Sequence, residues 1–344
     1  MDSLTQITLG ASVAVAIAGR KAGHLRAACW GGALGTLPDL DALIDLGDPM
    51  VNMIRHRAES HAIFYLSLAS PLLAWVIGRL DRCGMSWRQW LPMVWMVLMT
   101  HIAIDFLTIY GTQLARPFSD TPFGMGSVFI IDPLYTIPLL IGLITACRCA
   151  TETGRRWNAA GLIVGAGYLG AGILIQQHVT HVAQGAMPPH AESGQLLVTA
   201  APLNTVLWRL IVITPEHYYE GWYSLRDSAP RIAWDQHPRG AELIDRYQDH
   251  PAVERIARFS KDFFSMHERD GRIFITDLRL GLEPAYAFRF DITDSLHPAS
   301  PDHPQPPLLR RQRPELANGL PWLWERMLGH TEQSYWRHSR ATIP

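Results

Sequence analysis

The sequence predicts an α-helical polytopic membrane domain of about six spans followed by a small α+β soluble domain. Three observations carry that expectation. With 48% hydrophobic and 18% charged residues, the 344-residue chain is more apolar than an ordinary soluble protein of its length. The excess is concentrated between Leu4 and Gln177, where Ala, Leu, Ile, Val, Gly, Met and Trp dominate, while most of the Asp, Glu and Arg lie beyond. The second half carries short runs rich in β-branched and aromatic residues, which is strand character.

Apolar segments occupy 4–18, 27–46, 62–80, 91–110, 128–146 and 157–177. Several approach the roughly 20 residues that cross a bilayer core, although the first is short and the second is interrupted by Gly31, Gly32, Gly35 and Pro38. Alternate short loops hold nine Lys and Arg (Arg20, Lys21, Arg26, Arg79, Arg82, Arg88, Arg148, Arg155, Arg156) against three in the opposite set (Arg55, Arg57, Arg116). The nine belong in the cytoplasm. The expectation is therefore a multi-pass protein of the bacterial inner membrane, with its N-terminus and its C-terminal domain on the periplasmic side. Asp2 ahead of the first apolar run and Arg20-Lys21 after it reverse the order of a signal peptide, so that run reads as a retained helix.

The predicted domains are 1–181 in the membrane, a linker at 182–195 rich in Pro and small residues, and 196–344 outside it. Strands are expected near 196–200, 205–213, 218–225, 272–278 and 285–290, with short helices at 242–248 and 253–259. The proline-rich tail at 297–314 reads as irregular and 316–328 as a closing helix. A net charge of −1 gives no basic field for nucleic acid. The four cysteines, Cys29, Cys83, Cys147 and Cys149, form no CxxC motif.

The chemistry concentrates in Gly35 to His61 and in the fourth apolar segment. Asp39 and Asp41 form a DxD; either could cap a helix, yet two carboxylates this close repel unless a cation neutralises them. His56 and His61 are five residues apart and share no helix face, so only a loop brings both inward; surface histidines are the plainer reading. His101 and Asp105, at i and i+4, share one helix face. In a soluble helix that pair reads as a satisfied core histidine. In an apolar membrane segment ionisable groups are costly, and function becomes the default.

Asp39, Asp41, His56, His61, His101 and Asp105 are thus the expected ligands of one or two divalent ions. Zinc is favoured, with manganese or iron as alternatives, because imidazole and carboxylate ligands are mixed. Asp41 and Asp105 are the candidate catalytic carboxylates, and Arg57, Thr112 and Arg116 the candidate substrate-binding groups. No nucleophile elbow, Walker loop or HExxH occurs.

Taken as a set, Met1-Asp-Ser-Leu-Thr-Gln6, Gly35-Thr-Leu-Pro-Asp-Leu-Asp41, His56-Arg57, Ser60-His61, His101-Ile-Ala-Ile-Asp105 and Tyr110-Gly-Thr-Gln-Leu114 resemble the YdjM family. The likeness continues through Ile131–Thr136, Pro202–Thr205, Trp208-Arg209, Tyr218–Gly221 and Thr276–Arg279. The resemblance implies an inner-membrane protein of the kind described as a metal-dependent hydrolase, with its metal site in a multi-helix membrane domain. LPD followed at a distance by HxxxD is also loosely similar to zinc-dependent phospholipases C. One departure is Ala62 after His61, where a Ser is expected, so a hydroxyl at 62 is missing. The resulting expectation is hydrolysis of a phosphate ester of a membrane lipid or lipid-linked substrate by a metal-activated water. The alternatives are a metal-binding transporter or sensor, or a membrane-anchored binding module using Tyr218–Tyr223.

Overall fold

The structure is a computed structural model that describes residues 1–149, 151–296, 305–311, 316–330, 335 and 337. It divides into two compact units: 1–44 with 55–174 and 202–204, and 45–54 with 175–201 and 205–344. The helices of the first half are α1 (Ser3–Ala22), α2 (His24–Thr36), α3 (Pro49–Arg55), α4 (Ile63–Leu80), α5 (Trp87–Leu107), α6 (Pro133–Arg148) and α7 (Glu152–Gln184). Two 3-10 turns, Pro38–Leu43 and Glu59–His61, punctuate the stretch between α2 and α4.

Six apolar segments were expected to span; among the described residues three helices are long and apolar enough to do so, α4, α5 and α7. The difference has a geometric cause. α2 has 13 residues and stops at the Pro38 turn, and α6 has 16. At 1.5 Å per residue they reach about 20 and 24 Å, short of a ~30 Å hydrocarbon core. α1 is 20 residues long but polar at Thr5, Gln6, Thr8 and Ser12, all of which it buries inside the protein.

That burial depends on glycine. A Cβ on Gly31 would stand 2.3 Å from the Gly10 carbonyl oxygen, and one on Gly35 would stand 2.5 Å from that of Gln6. Gly31-x-x-x-Gly35 therefore lets the backbones of α1 and α2 touch, the close packing that small residues permit between membrane helices. Val94, Val97 and Leu98 of α5 complete the core beneath them. The packing brings the last turn of α2 against the C-terminal half of α5, where its unpaired carbonyls need donors.

In the second unit, β1 (Gln195–Ala200), β2 (Leu207–Ile213), β3 (His217–Ser224) and β4 (Trp234–Pro238) form an antiparallel sheet in sequence order. Leu207–Ile213 is buried throughout, because both faces of β2 are covered. Trp208 and Leu210 meet Val179 and Ala183 of α7, while Ile211 and Ile213 meet Phe263, Leu278 and Tyr286. After α8 (Ala241–Tyr247) and α9 (Pro251–Ser260) come β5 (Phe264–Arg269) and β6 (Arg272–Asp277), then the small pair β7 (Gly281–Leu282) and β8 (Ala285–Tyr286). β9 (Arg289–Asp291), α10 (Thr293–Leu296), β10 (Leu308–Leu309) and α11 (Leu316–Met327) complete the described chain. A second antiparallel sheet has the order β10-β9-β6-β5.

The helical membrane region followed by a β-containing domain stands as expected in outline. β4, β5 and β7 are additions, and the run 285–290 divides into β8 and β9. Of the tail expected to be irregular, 297–304 and 312–314 lie outside the described residues, and 308–309 forms β10.

Candidate metal centre

Four side chains converge at one end of the first unit. The ligating atoms of Asp39, His61, His101 and Asp105 all lie within 4.8 Å of one another. Asp39 comes from the turn that Pro38 starts, His61 from the last residue before the loop into α4, and His101 and Asp105 from successive turns of α5. His61 Nε2 is 3.2 Å from Asp39 Oδ1 and 3.3 Å from Asp105 Oδ2. His101 Nε2 is 3.1 Å from His61 Nε2 and 3.5 Å from Asp105 Oδ2.

The surrounding hydrogen bonds determine what these atoms present to each other. His101 Nδ1 lies 2.7 Å from the Gly35 carbonyl oxygen, an orphan acceptor at the end of α2. A carbonyl only accepts, so Nδ1 carries the proton and Nε2 of the neutral ring keeps its lone pair. Ser60 donates its hydroxyl proton to Asp41 Oδ2, so the 2.8 Å contact between Ser60 Oγ and His61 Nδ1 is a donation from the imidazole. Nε2 of a neutral His61 is then bare as well.

Two imidazole lone pairs and two carboxylate oxygens face one another with no donor among them, an arrangement stable only around a cation or a captured proton. Asp105 sharpens the point. Its Oδ1 contacts the Met1 amino group and accepts from Gln6 Nε2 at 3.1 Å, with Arg57 Nη2 at 3.4 Å. Its Oδ2 is buried without any hydrogen-bond donor and is directed at the two histidines. An orphaned buried carboxylate oxygen fits the role of a metal ligand. The donor set is two nitrogens and two oxygens, which suits one borderline divalent ion.

Asp41 and His56 stand beside the cluster rather than in it. Asp41 Oδ1 accepts from His56 Nδ1 at 2.7 Å, and Oδ2 accepts from Ser60 and from the Arg57 backbone N–H at 2.9 Å. Burial pushes the Asp41 carboxyl up, but these donors outweigh it and hold it at about 2. Burial likewise opposes ionisation of Asp39, and the His61 hydrogen bond and the nearby His101 hold it below its usual value. For His61 burial disfavours the charge, yet the carboxylates of Asp105 and Asp39 on Nε2 raise its pKa.

Arg57 is the cation of this pocket, and it is only 4% exposed. Its backbone has φ +67°, a left-handed conformation costing a non-glycine residue of order 1 kcal/mol or more. The bonds from Arg57 N to Asp41 and from Gln113 N to Arg57 O hold it there. The guanidinium lies over the Tyr110 ring at 5.0 Å, donates to Thr108 Oγ1 at 3.3 Å, and leaves Nε buried without an acceptor. Arg116, by contrast, donates to Glu59 at 3.0 Å and Gln113 at 2.6 Å, and Thr112 is a buried residue whose backbone pairs with Phe123.

Gln6 and Gly35 are contributors that the motifs contain but to which the sequence reading gave no role at the site. A Gln inside an apolar helix, and a Gly-x-x-x-Gly spacing on the next, are the signals that point to them.

The family described as YdjM inner membrane protein matches residues 1–179, a stretch that contains all four convergent residues. A protein of Bacillus subtilis (strain 168) titled "Uncharacterized protein YfhP" is 23% identical over 184 residues, 54% of this chain and 54% of its own. The chain thus spans about half the length of that curated relative. No solved structure matches.

Proposed function

Because this chain belongs to the YdjM inner membrane protein family, we propose that its His61–His101–Asp39–Asp105 cluster is the centre of a membrane-embedded metal-dependent hydrolase. One observation carries the reading: four acceptor atoms, one of them the orphaned Asp105 Oδ2, are wired by Gly35 and Ser60 to face a common point. A divalent ion bound there supplies Lewis acidity and lowers the pKa of water toward neutrality. Zinc is the first choice, with manganese or iron as alternatives.

This chain's own residues supply the rest. Arg57 binds an anionic oxygen of the substrate through Nε, the guanidinium nitrogen without a protein acceptor, while Nη1 stays on Thr108 and Nη2 beside Asp105, and the buried setting strengthens that contact. His56, oriented by Asp41, moves the proton: with Nδ1–H held on the carboxylate, Nε2 is the atom that takes a proton from the nucleophile or returns one to the leaving group. Asp41 is a positioning residue for His56 and, through Ser60, for His61.

The substrate class we favour is a phosphate ester of a lipid or lipid carrier. Arg79, Arg82 and Arg88 lie at the α4–α5 connection, and the cluster sits at the opposite ends of those two apolar helices. The positive-inside rule then puts the cluster at the extracytoplasmic headgroup level. By the same rule, Arg155 and Arg156 at the start of α7 put its C-terminal end on that side too.

The test is metal analysis of the detergent-purified protein with assays of phospholipid and isoprenoid-phosphate cleavage, for wild type and His101→Ala. The expected outcome is about one ion per wild-type chain, and loss of both ion and turnover in the variant. Equal turnover in both proteins refutes the reading.

A further inference from the structure

A second site candidate lies in the other unit, beyond residue 179 where the family match ends. In the sheet β10-β9-β6-β5, successive side chains alternate between faces. Met266, Ile273, Ile275 and Phe290 point into the core and are at most 6% exposed. The opposite face carries a cavity of about 330 Å³ lined by Arg269, Arg272, Arg289 and Arg310, with His267 and Phe274 as one wall. That volume is at the lower end of the range for small-molecule sites, ~300–1,000 Å³.

Four arginines on one polar sheet face could be mere solvation. Their arrangement argues otherwise. Arg269 is the direct cross-strand partner of Arg272, a like-charge pairing that disfavours the sheet unless something anionic relieves it. Asp291, buried to 2% exposure, accepts from Arg272 and from Thr293, and Arg310 Nη2 stands 3.8 Å from it, so one carboxylate orients two guanidinium groups. Arg272 also donates to Asp294 at 3.1 Å, and among the described residues Arg269 pairs with the exposed Asp270 at 3.6 Å. Arg289 donates to Thr276 Oγ1. Against the four guanidinium groups stand Asp270 and Asp291 in the lining and Asp294 on Arg272, so the described residues leave one positive charge in excess with His267 neutral. Burial, then Arg289 and Arg269, push the His267 imidazole down to about 4, so it is uncharged near neutrality. Its ring stacks on Phe274 at 5.1 Å and 16°, making a flat wall.

We propose that this pocket binds a phosphorylated small ligand or headgroup, with the phosphate among the arginines and the organic part against the His267–Phe274 wall. Guanidinium groups offer the paired donors that phosphate oxygens take, and several from different strands surround one anion better than a single fork does. The site is independent of the metal cluster and of its chemistry.

The test uses full-length protein in detergent, stripped of metal with a chelator so that the cluster contributes nothing. Calorimetry measures glycerol 3-phosphate binding to wild type, to Arg269→Gln/Arg289→Gln and to Arg310→Gln. Binding to the wild type, weakened roughly tenfold for each guanidinium removed, is the expected result. Arg310 is half-exposed, so its single substitution keeps the fold intact if the double variant does not. Repeating the titration in nanodiscs separates the sources. Affinity lowered by phosphatidylglycerol relative to phosphatidylcholine identifies a lipid headgroup, and unchanged affinity a soluble phosphate ester. No binding to wild type at millimolar ligand, or equal binding by wild type and Arg310→Gln, overturns the proposal.

Discussion

Asp41→Asn separates proton transfer from metal holding, because the carboxylate serves two different sets of donors. Oδ2 accepts from the Ser60 hydroxyl and the Arg57 backbone N–H, while Oδ1 accepts from His56 Nδ1. An asparagine can keep only one acceptor oxygen. Placing its NH₂ toward Ser60 and Arg57 would set three donors against each other, so the amide oxygen stays there and the NH₂ turns to His56. Ser60 then still receives the His61 Nδ1 proton, and the cluster keeps its lone pairs. His56, however, now meets a donor at Nδ1 and must carry its proton on Nε2, the wrong tautomer for a base. Positioned proton transfer contributes about 10²–10⁴ in rate, or about 3–5 kcal/mol at 1.36 kcal/mol per decade. The expected variant therefore retains its metal to within a few-fold and loses turnover by two to four orders of magnitude. Elemental analysis and phosphate release from lipid phosphate esters measure the two quantities on one preparation. Full turnover in Asp41→Asn, or complete metal loss with turnover lost in proportion, refutes the division of labour between His56 and the cluster.

Two further outcomes follow from the same contacts. The pKa of His61 is raised, so a proton and a divalent ion compete for Nε2. Metal affinity should fall as pH drops through that raised value and level off above it. The sign of stability is opposite in the metal-free protein: the contribution of His61 is fully present below its unfolded value of about 6.5 and is lost as pH rises through the folded one. Zinc titrations and thermal melts across pH 5–9 should slope in these opposite directions, and a flat pair of profiles would count against the Nε2 assignment. Gly35→Ala should act on both fold and site, since its Cβ would stand 2.5 Å from the Gln6 carbonyl oxygen. Forcing α1 from α2 costs about 1–3 kcal/mol and moves the carbonyl that orients His101. A lower melting temperature together with weaker metal binding is the expected pair, and an unchanged melting temperature would show that the helices do not depend on that contact.

What the sequence disclosed here was chemistry with local spacing. His101 and Asp105 sit one helical turn apart in an apolar segment, and that alone marked them. Asp39 and His61 were legible as residue types, but their partnership depends on the two 3-10 turns meeting, which only the fold displays. Asp41 and His56 stand beside the cluster for a reason the sequence does not carry: a carboxylate two residues from a ligand, and a histidine five from another, are equally suited to ligation or to orienting the ligands. Sequence cannot tell which oxygen finds a proton donor first. Three of the six expected spans stand as long apolar helices among the described residues; the rest were harder to read because a run of small residues reads as lipid-facing whether it meets lipid or another helix. Gly10, Gly31 and Gly35 decide that question in favour of another helix. The second hairpin was in principle readable. Asp270 at φ +53° and Gly271 at φ +70° form the two-residue turn that Asp-Gly favours, and recognising it would have yielded β5 from β6. The arginine pocket was not readable at all. Its four guanidinium groups come from positions spread over 269–310. They share a face only because β9 pairs between β10 and β6, a register that no local pattern specifies.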